Sequence, residues 1–305
     1  MGRMPISTFH HATHAAMSER RAGLLQGVLA YGLWGVVAAY WKLLAEVDPI
    51  ELIAHRALWG LGAFVAIVLV AGQWGALRVA MRDLRLVATM AASSALLALN
   101  WGVFVAAIVH GYLLEASLGY FINPLVSVAL GTLVLGERLR RLQWLAILFA
   151  AIGVGLLTWR AGRVPWVSLV LAVTFGLYGL VRKTARVDAI VGSAIETFVL
   201  APIAIIYLIA IGGGVVPHAS AQTFALLVGT GIVTAVPLVL FTSAARRLPL
   251  STIGFLQYLA PTGQFLLAVL AFGEPLAHDR LLAFGWIWAG LAVFSIDLWR
   301  AGRRV

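Results

Sequence analysis

His55 and Arg56 sit side by side in "ELIAHRALWGLGAFVAIVLVAG" (residues 51–72), a largely apolar run. A permanently charged, planar guanidinium suits a carboxylate or phosphate, and an imidazole can donate or accept. Neither is cheap in lipid, because a charge at the bilayer centre costs about 2.5–3.5 kcal/mol on insertion scales. Glu196, isolated in residues 190–211, raises the same question and is a candidate proton site or gate. Two polar stripes flank prolines. Tyr120, Asn123 and Ser127 fall at i, i+3 and i+7 beside Pro124. Gln257 and Gln264 fall at i and i+7 around Pro261, with Tyr258 adjacent. Each proline frees a carbonyl one turn earlier, and such backbone is tolerated at membrane depth only when buried or lining a cavity. Asn100–Trp101, Trp34 and Tyr178 complete the expected substrate pathway, with Pro237 a third expected helix kink. The plainer alternatives are snorkelling of Arg56 to the interface and interhelical hydrogen bonds for the rest.

The elements that position these residues follow from composition. Of 305 residues 62% are hydrophobic and 11% charged, against about 25% charged in soluble domains. So small a charged set cannot coat a water-facing surface, and most of the outside must face lipid. The net charge of +10 is spread between apolar runs, which reads as topology signal rather than a nucleic-acid face. With no cysteine, thiolate chemistry and disulfides are excluded. His10, His11 and His14 have no carboxylate or cysteine beside them. No metal or other cofactor is expected, and residues 1–21 read as a disordered cytoplasmic tail.

Runs long enough to cross the hydrocarbon core, about 20 residues each, occur roughly at 24–44, 52–72, 86–108, 115–135, 143–159, 165–181, 190–211, 223–244, 251–272 and 280–299. They lack the period-2 alternation of barrel strands, so the expected fold is an all-α integral membrane protein of ten helices. Placing the N-terminus inside puts 16 Lys and Arg residues on the inner side, Arg182 and Lys183 among them, and 4 outside. Positive charge concentrates in cytoplasmic loops, so both termini are expected in the cytoplasm. Trp144, Trp159, Trp166 and Trp299 fit an interfacial belt.

Residues 117–146 and 254–283 align without a gap at a shift of 137 positions, Pro124 on Pro261 and Gly136–Glu137 on Gly273–Glu274. The register runs back to Phe104 on Phe241 and on to Gly153 on Gly290; upstream, "GLWG" (32–35) echoes "GLYG" (176–179) and Asp48 echoes Asp188. Five spans per copy is an odd number, so the second copy enters from the opposite side. The expected organisation is a repeat over 22–160, its inverted mate over 161–300 and a cytoplasmic end at 301–305, with the binding site near the midplane where the two meet. Arg56 and Glu196 then lie near opposite faces. Glu137 and Glu274 read as caps, and Ala146/Ala150 and Gly285/Ala289 as packing faces.

The segments "LAYGLWGVVAAYWKLL", "ELIAHRALW", "EASLGYFINPLVSVALGTLVLGERLRRLQWLA", "FGLYGLVRK" and "STIGFLQYLAPTGQFLLAVLAFGEPL" resemble the RarD branch of the EamA-type transporters, in the drug/metabolite transporter superfamily. The resemblance covers residues 22 to about 300. It implies a bacterial inner-membrane carrier of small organic metabolites or drugs, a permease type whose name is tied to chloramphenicol sensitivity, working by alternating access. Arg56 argues for an anionic or zwitterionic solute, and the rings of Trp34 and Tyr178 suit a flat amphipathic one. No H-E-x-x-H or G-x-S-x-G motif supports an intramembrane enzyme, and no Walker A motif supports ATP drive. A flippase for a lipid-linked intermediate is the other expectation to weigh. Membrane lipids are the only other partner implied, and nucleic acid is not one.

Overall fold

The computed structural model describes residues 6–110, 113–161, 166–271 and 278–302. Every regular element among them is helical: α1 (Ile6–Lys42), α2 (Pro49–Val70), α3 (Trp74–Ala80), α4 (Leu84–Val109), α5 (Leu113–Leu133), α6 (Arg141–Ala161), α7 (Trp166–Thr184), α8 (Ala189–Ala210), α9 (Ala221–Arg247), α10 (Leu250–Gln257), α11 (Leu259–Leu270) and α12 (His278–Gly302), with one 3-10 turn at Val216–His218. Among the described residues, eight helices are long and apolar enough to cross a membrane: α1, α2, α4, α6, α7, α8, α9 and α12. The other two expected spans differ. The qualifying apolar stretch of α5 is shorter, Leu118–Leu133, and residues 251–272 are interrupted at Tyr258. Pro261 has no amide for the Gln257 carbonyl, and the Tyr258 amide instead turns tightly onto the Phe255 carbonyl at 3.3 Å.

Two elements depart from expectation. Residues 6–21 continue α1 as helix instead of forming a disordered tail. The stretch holds no proline or glycine before Gly23, so nothing stops propagation. Its three histidine side chains lie outside the described residues. The link after α2 folds into α3, where Arg78 stacks over Trp74 at 5.5 Å. Asp48 and Asp188, matched in sequence, are the N-caps of α2 and α8. Asp48 accepts from the Ile50 and Glu51 amides and Asp188 from that of Ile190, satisfying donors that a helix start leaves open.

Helix α6 packs on α12, α2 on α8 and α9, α5 on α7 and α10, α1 on α9 and α11, and α4 on α7 and α8. The α6–α12 crossing is held by reciprocal glycines. A Cβ on Gly153 would lie 2.7 Å from the Ala283 carbonyl oxygen, and one on Gly290 2.8 Å from that of Ala146. Ala146 and Ala150 are buried in this seam. On α12, however, the seam is Ala283, Ile287 and Gly290. Gly285 meets nothing within 4 Å, because two residues on from Ala283 is about 200° around the helix, on the outer face. Gly290→Leu is therefore expected to destabilise the protein by about 1–3 kcal/mol, the usual cost of overpacking. Gly285→Leu is expected to leave the thermal unfolding midpoint in detergent unchanged. The four belt tryptophans are all exposed on the helix surface.

Candidate functional site

A cavity of about 470 Å³ lies between α1, α2, α4, α5, α7, α9 and the α10–α11 pair. It reaches from the α1–α2 turn, at Leu44, Val47 and Pro49, down to Tyr31 and Gln257. Of the residues singled out in the sequence, Trp34, Arg56, Asn100, Trp101, Tyr120, Asn123, Gln257, Pro261 and Gln264 line it. His55, Ser127, Tyr258, Tyr178, Glu196, Pro124 and Pro237 do not, although Ser127 lies just behind the wall.

Arg56 is the one formally charged side chain among the described lining residues. Its guanidinium lies 4.3 Å from the centre of the Trp101 ring and 4.9 Å from that of Trp41, an arrangement in which the ring faces attract the cation. Nε donates to Thr234 Oγ1 at 3.3 Å. The two terminal nitrogens have no protein acceptor among the described residues, and no carboxylate pairs with the group. His55 faces the other way, as neighbours about 100° apart on a helix must. It is buried 3.4 Å from Glu51, whose carboxylate also accepts the Val215 amide at 2.7 Å. The adjacent pair thus avoids lipid by two routes, one residue through a cavity and the other through an internal partner.

Asn100, Gln257 and Gln264 are fastened to neighbouring helices. Asn100 Nδ2 donates to the Leu171 carbonyl at 2.8 Å and to Thr174 Oγ1 at 2.9 Å. Gln257 Nε2 donates to Ser127 Oγ at 3.2 Å, and Gln264 Nε2 to the Trp34 carbonyl at 3.2 Å. The Asn123 carbonyl oxygen is buried without a partner. Prolines 124, 237 and 261 leave the carbonyls of Tyr120, Val233 and Gln257 without their helical donors, and all three of those residues line the cavity. Tyr258 points away, donating to the Phe121 carbonyl at 3.3 Å. Tyr31, Trp34, Phe175, Tyr178 and Phe241 form a contiguous aromatic floor in which Tyr178 and Phe241 stack at 5.8 Å.

Beyond that floor lies a buried ionic group that the charge count misassigned. Arg182, placed by sequence in a cytoplasmic loop, is only 1% exposed. Its Nε lies 3.7 Å from Glu196 Oε1, and Nη2 donates to the Ala189 carbonyl at 2.9 Å. Glu196 also accepts from Ser93 Oγ at 2.6 Å and Tyr178 OH at 3.4 Å. The guanidinium folds inward because residue 192 is glycine; a Cβ there would lie 2.1 Å from Arg182 Nη1. The expectation that Arg56 and Glu196 lie near opposite faces is also corrected. Both border one small void of about 20 Å³ beside Gly60 and Thr197, although they do not pair.

The end of the bundle opposite the α1–α2 turn is clamped at the α9–α10 connection. Lys183 Nζ donates to the carbonyls of Ala245 and Leu248, where a cation complements a helix C-terminus. Glu137 accepts from the Leu250 and Ser251 amides at 2.6 and 2.9 Å and from Ser251 Oγ at 2.7 Å. The cap expected of Glu137 thus serves the start of α10; Glu274 lies outside the described residues. Glu137→Ala orphans two amides and a hydroxyl, and is expected to cost about 1–3 kcal/mol per buried unsatisfied group, read as a lower unfolding midpoint. The residues that sequence reasoning missed (Glu51, Ser93, Thr234 and Arg182) are short polar groups, or charges near helix ends, whose inward orientation only the packing reveals.

Residues 21–159 match the EamA-like transporter family. An uncharacterized transporter of Pseudomonas aeruginosa is 46% identical, the match covering 95% of this chain and 98% of that protein. Protein RarD of Escherichia coli is 43% identical over 94% of this chain and 98% of its own. A solved crystal structure at 22% identity superimposes with a TM-score of 0.71 over 90% of this chain and 97% of that one, which shows a shared fold. With relatives this similar along nearly its whole length, the chain belongs to the RarD branch of the EamA-like transporter family.

Proposed function

We propose that the protein is a secondary carrier of a small organic solute, which enters the 470 Å³ cavity and crosses the bacterial inner membrane by alternating access. The observation that carries this is the cavity itself. It falls in the 300–1,000 Å³ range of small-molecule sites, is lined by apolar and aromatic walls, and is blocked at one end by the aromatic floor and the clamped α9–α10 turn. That volume suits a metabolite better than a lipid-linked saccharide.

The carrier is built as ten spans in two inverted five-helix units, 22–160 and 161–300, with α10 and α11 together making the ninth crossing. The pattern of helix contacts supports this. Exchanging α1 with α7, α2 with α8, α4 with α9, α5 with α10–α11 and α6 with α12 turns the α5–α7 contact into α11–α1, α1–α9 into α7–α4, and α2–α9 into α8–α4; all six contacts exist. Repeat-matched Gly153 and Gly290 meet in one crossing. Two such units interconvert between two states by trading conformations, and a substrate biases them only through differential affinity. In the state described, the cavity reaches the α1–α2 turn, the outer side if both termini are cytoplasmic.

The test is counterflow in proteoliposomes with a mixture of labelled organic acids, amines and neutral aromatics. At least one solute is expected to exchange, and Ala38→Trp, which fills the cavity from α1, is expected to abolish that exchange while the protein stays folded. Exchange of none, or exchange unchanged by Ala38→Trp, would remove this reading.

A further inference from the structure

We infer that the cavity selects an organic monoanion with an aromatic or similarly flat body, and discriminates against zwitterions and amines. The inference rests on the carrier reading for its location and adds the charge class of the solute. Arg56 offers two terminal nitrogens with no acceptor among the described residues, its planar group already placed against the Trp41 and Trp101 rings. A carboxylate approaching that fork meets parallel donors, the geometry in which guanidinium and carboxylate bind most strongly. The stacked indoles and the Thr234 contact fix the fork in advance, so little side-chain freedom remains to be lost on binding.

The rest of the lining settles the sign. Among the described residues it holds no aspartate or glutamate, so an ammonium group would enter with the Arg56 charge close by and no counter-charge to meet it. What the walls supply instead are neutral groups, the Asn123 amide, whose oxygen has no protein partner, and the Tyr120 hydroxyl. These hydrogen-bond a hydroxyl or amide on the solute without adding charge. Two carboxylates buried in the bundle are committed elsewhere, Glu51 to His55 and the Val215 amide, and Glu196 to Arg182, Ser93 and Tyr178, while Glu46 and Asp48 are exposed in the α1–α2 turn. Trp34, Phe104, Phe175 and Trp101 provide ring faces and edges for a flat body.

Four probes on one skeleton separate these terms: 3-phenylpropionate, phenylalanine, 3-phenylpropylamine and 3-phenylpropanamide. Binding to the purified full-length protein in detergent, read by calorimetry and by shift of the thermal midpoint, is expected to be at least tenfold tighter for the propionate than for phenylalanine or the amine. Arg56→Gln is expected to erase that preference while the weak binding of the neutral amide persists, which shows the site still folded. Arg56→Lys is expected to recover part of it, because the charge returns without the planar fork. Equal or tighter binding of the amine or amino acid, an unchanged preference in Arg56→Gln, or binding of none of the four would each overturn the inference. Because binding needs no flux, a bound anion that is never transported would defeat the carrier reading alone. Transport without an anion preference would defeat this one alone.

Discussion

Arg182→Ala is expected to cost the folded protein about 3–5 kcal/mol, the usual penalty for stripping one partner from a buried ion pair. The variant is expected to unfold at a markedly lower temperature in detergent. The loss arises less from the pair's own attraction, across 3.7 Å, than from leaving the Glu196 carboxyl, 1% exposed, without its counter-charge and held only by Ser93 and Tyr178. The guanidinium also satisfies the Ala189 carbonyl, so α4, α7 and α8 lose their common tie together. Replacing both members by apolar side chains, Arg182→Met with Glu196→Leu, is expected to recover most of the stability, since buried pairs exchanged for hydrophobes are often neutral or better. A double-mutant cycle measures this directly. Single variants that both unfold at the parental temperature would show the pair to be energetically idle. The same variants address proton coupling: if Glu196 loads and unloads a proton during transport, Glu196→Gln flattens the pH profile of flux, whereas a structural Glu196 leaves its shape intact.

The second large effect concerns how the empty carrier returns. Vesicles preloaded with unlabelled 3-phenylpropionate, or with whichever anion exchanges best, are expected to take up label at least tenfold faster than empty vesicles. If the solute is the proposed anion, its carboxylate neutralises the Arg56 charge in the occluded state of the proposed cycle. Without solute, the guanidinium must be enclosed with only Trp41, Trp101 and Thr234 around it, and the effective cost of an unpaired buried ion is several kcal/mol. Since about 1.4 kcal/mol of barrier is a factor of ten in rate, even a small part of that cost makes exchange outrun net uptake. Arg56→Gln removes the charge, so its exchange and net-uptake rates are expected to converge while its affinity falls. Equal rates in the parent protein, or a ratio unchanged by Arg56→Gln, would contradict the argument.

The amino-acid sequence determined which residues must be kept from lipid, because solvent alone decides that. Apolar runs set the eight spanning helices among the described residues, Asp48 and Asp188 set two helix starts, and the 137-residue register set the correspondence of Gly153 with Gly290. The same rule flagged Arg56, Asn123, Gln257, His55 and Glu196 alike, since a polar group in an apolar run is costly whatever relieves it. Which kind of relief each one finds was decided by tertiary structure. Arg56 turns to a cavity and His55, one residue earlier, to Glu51; Glu196 meets an arginine that its position near a helix end had marked as a loop charge. Relief of that kind depends on which neighbouring helix presents a void, a carbonyl or a glycine at the right height. Gly192 makes room for Arg182, and nothing in the local sequence of α7 encodes that gap.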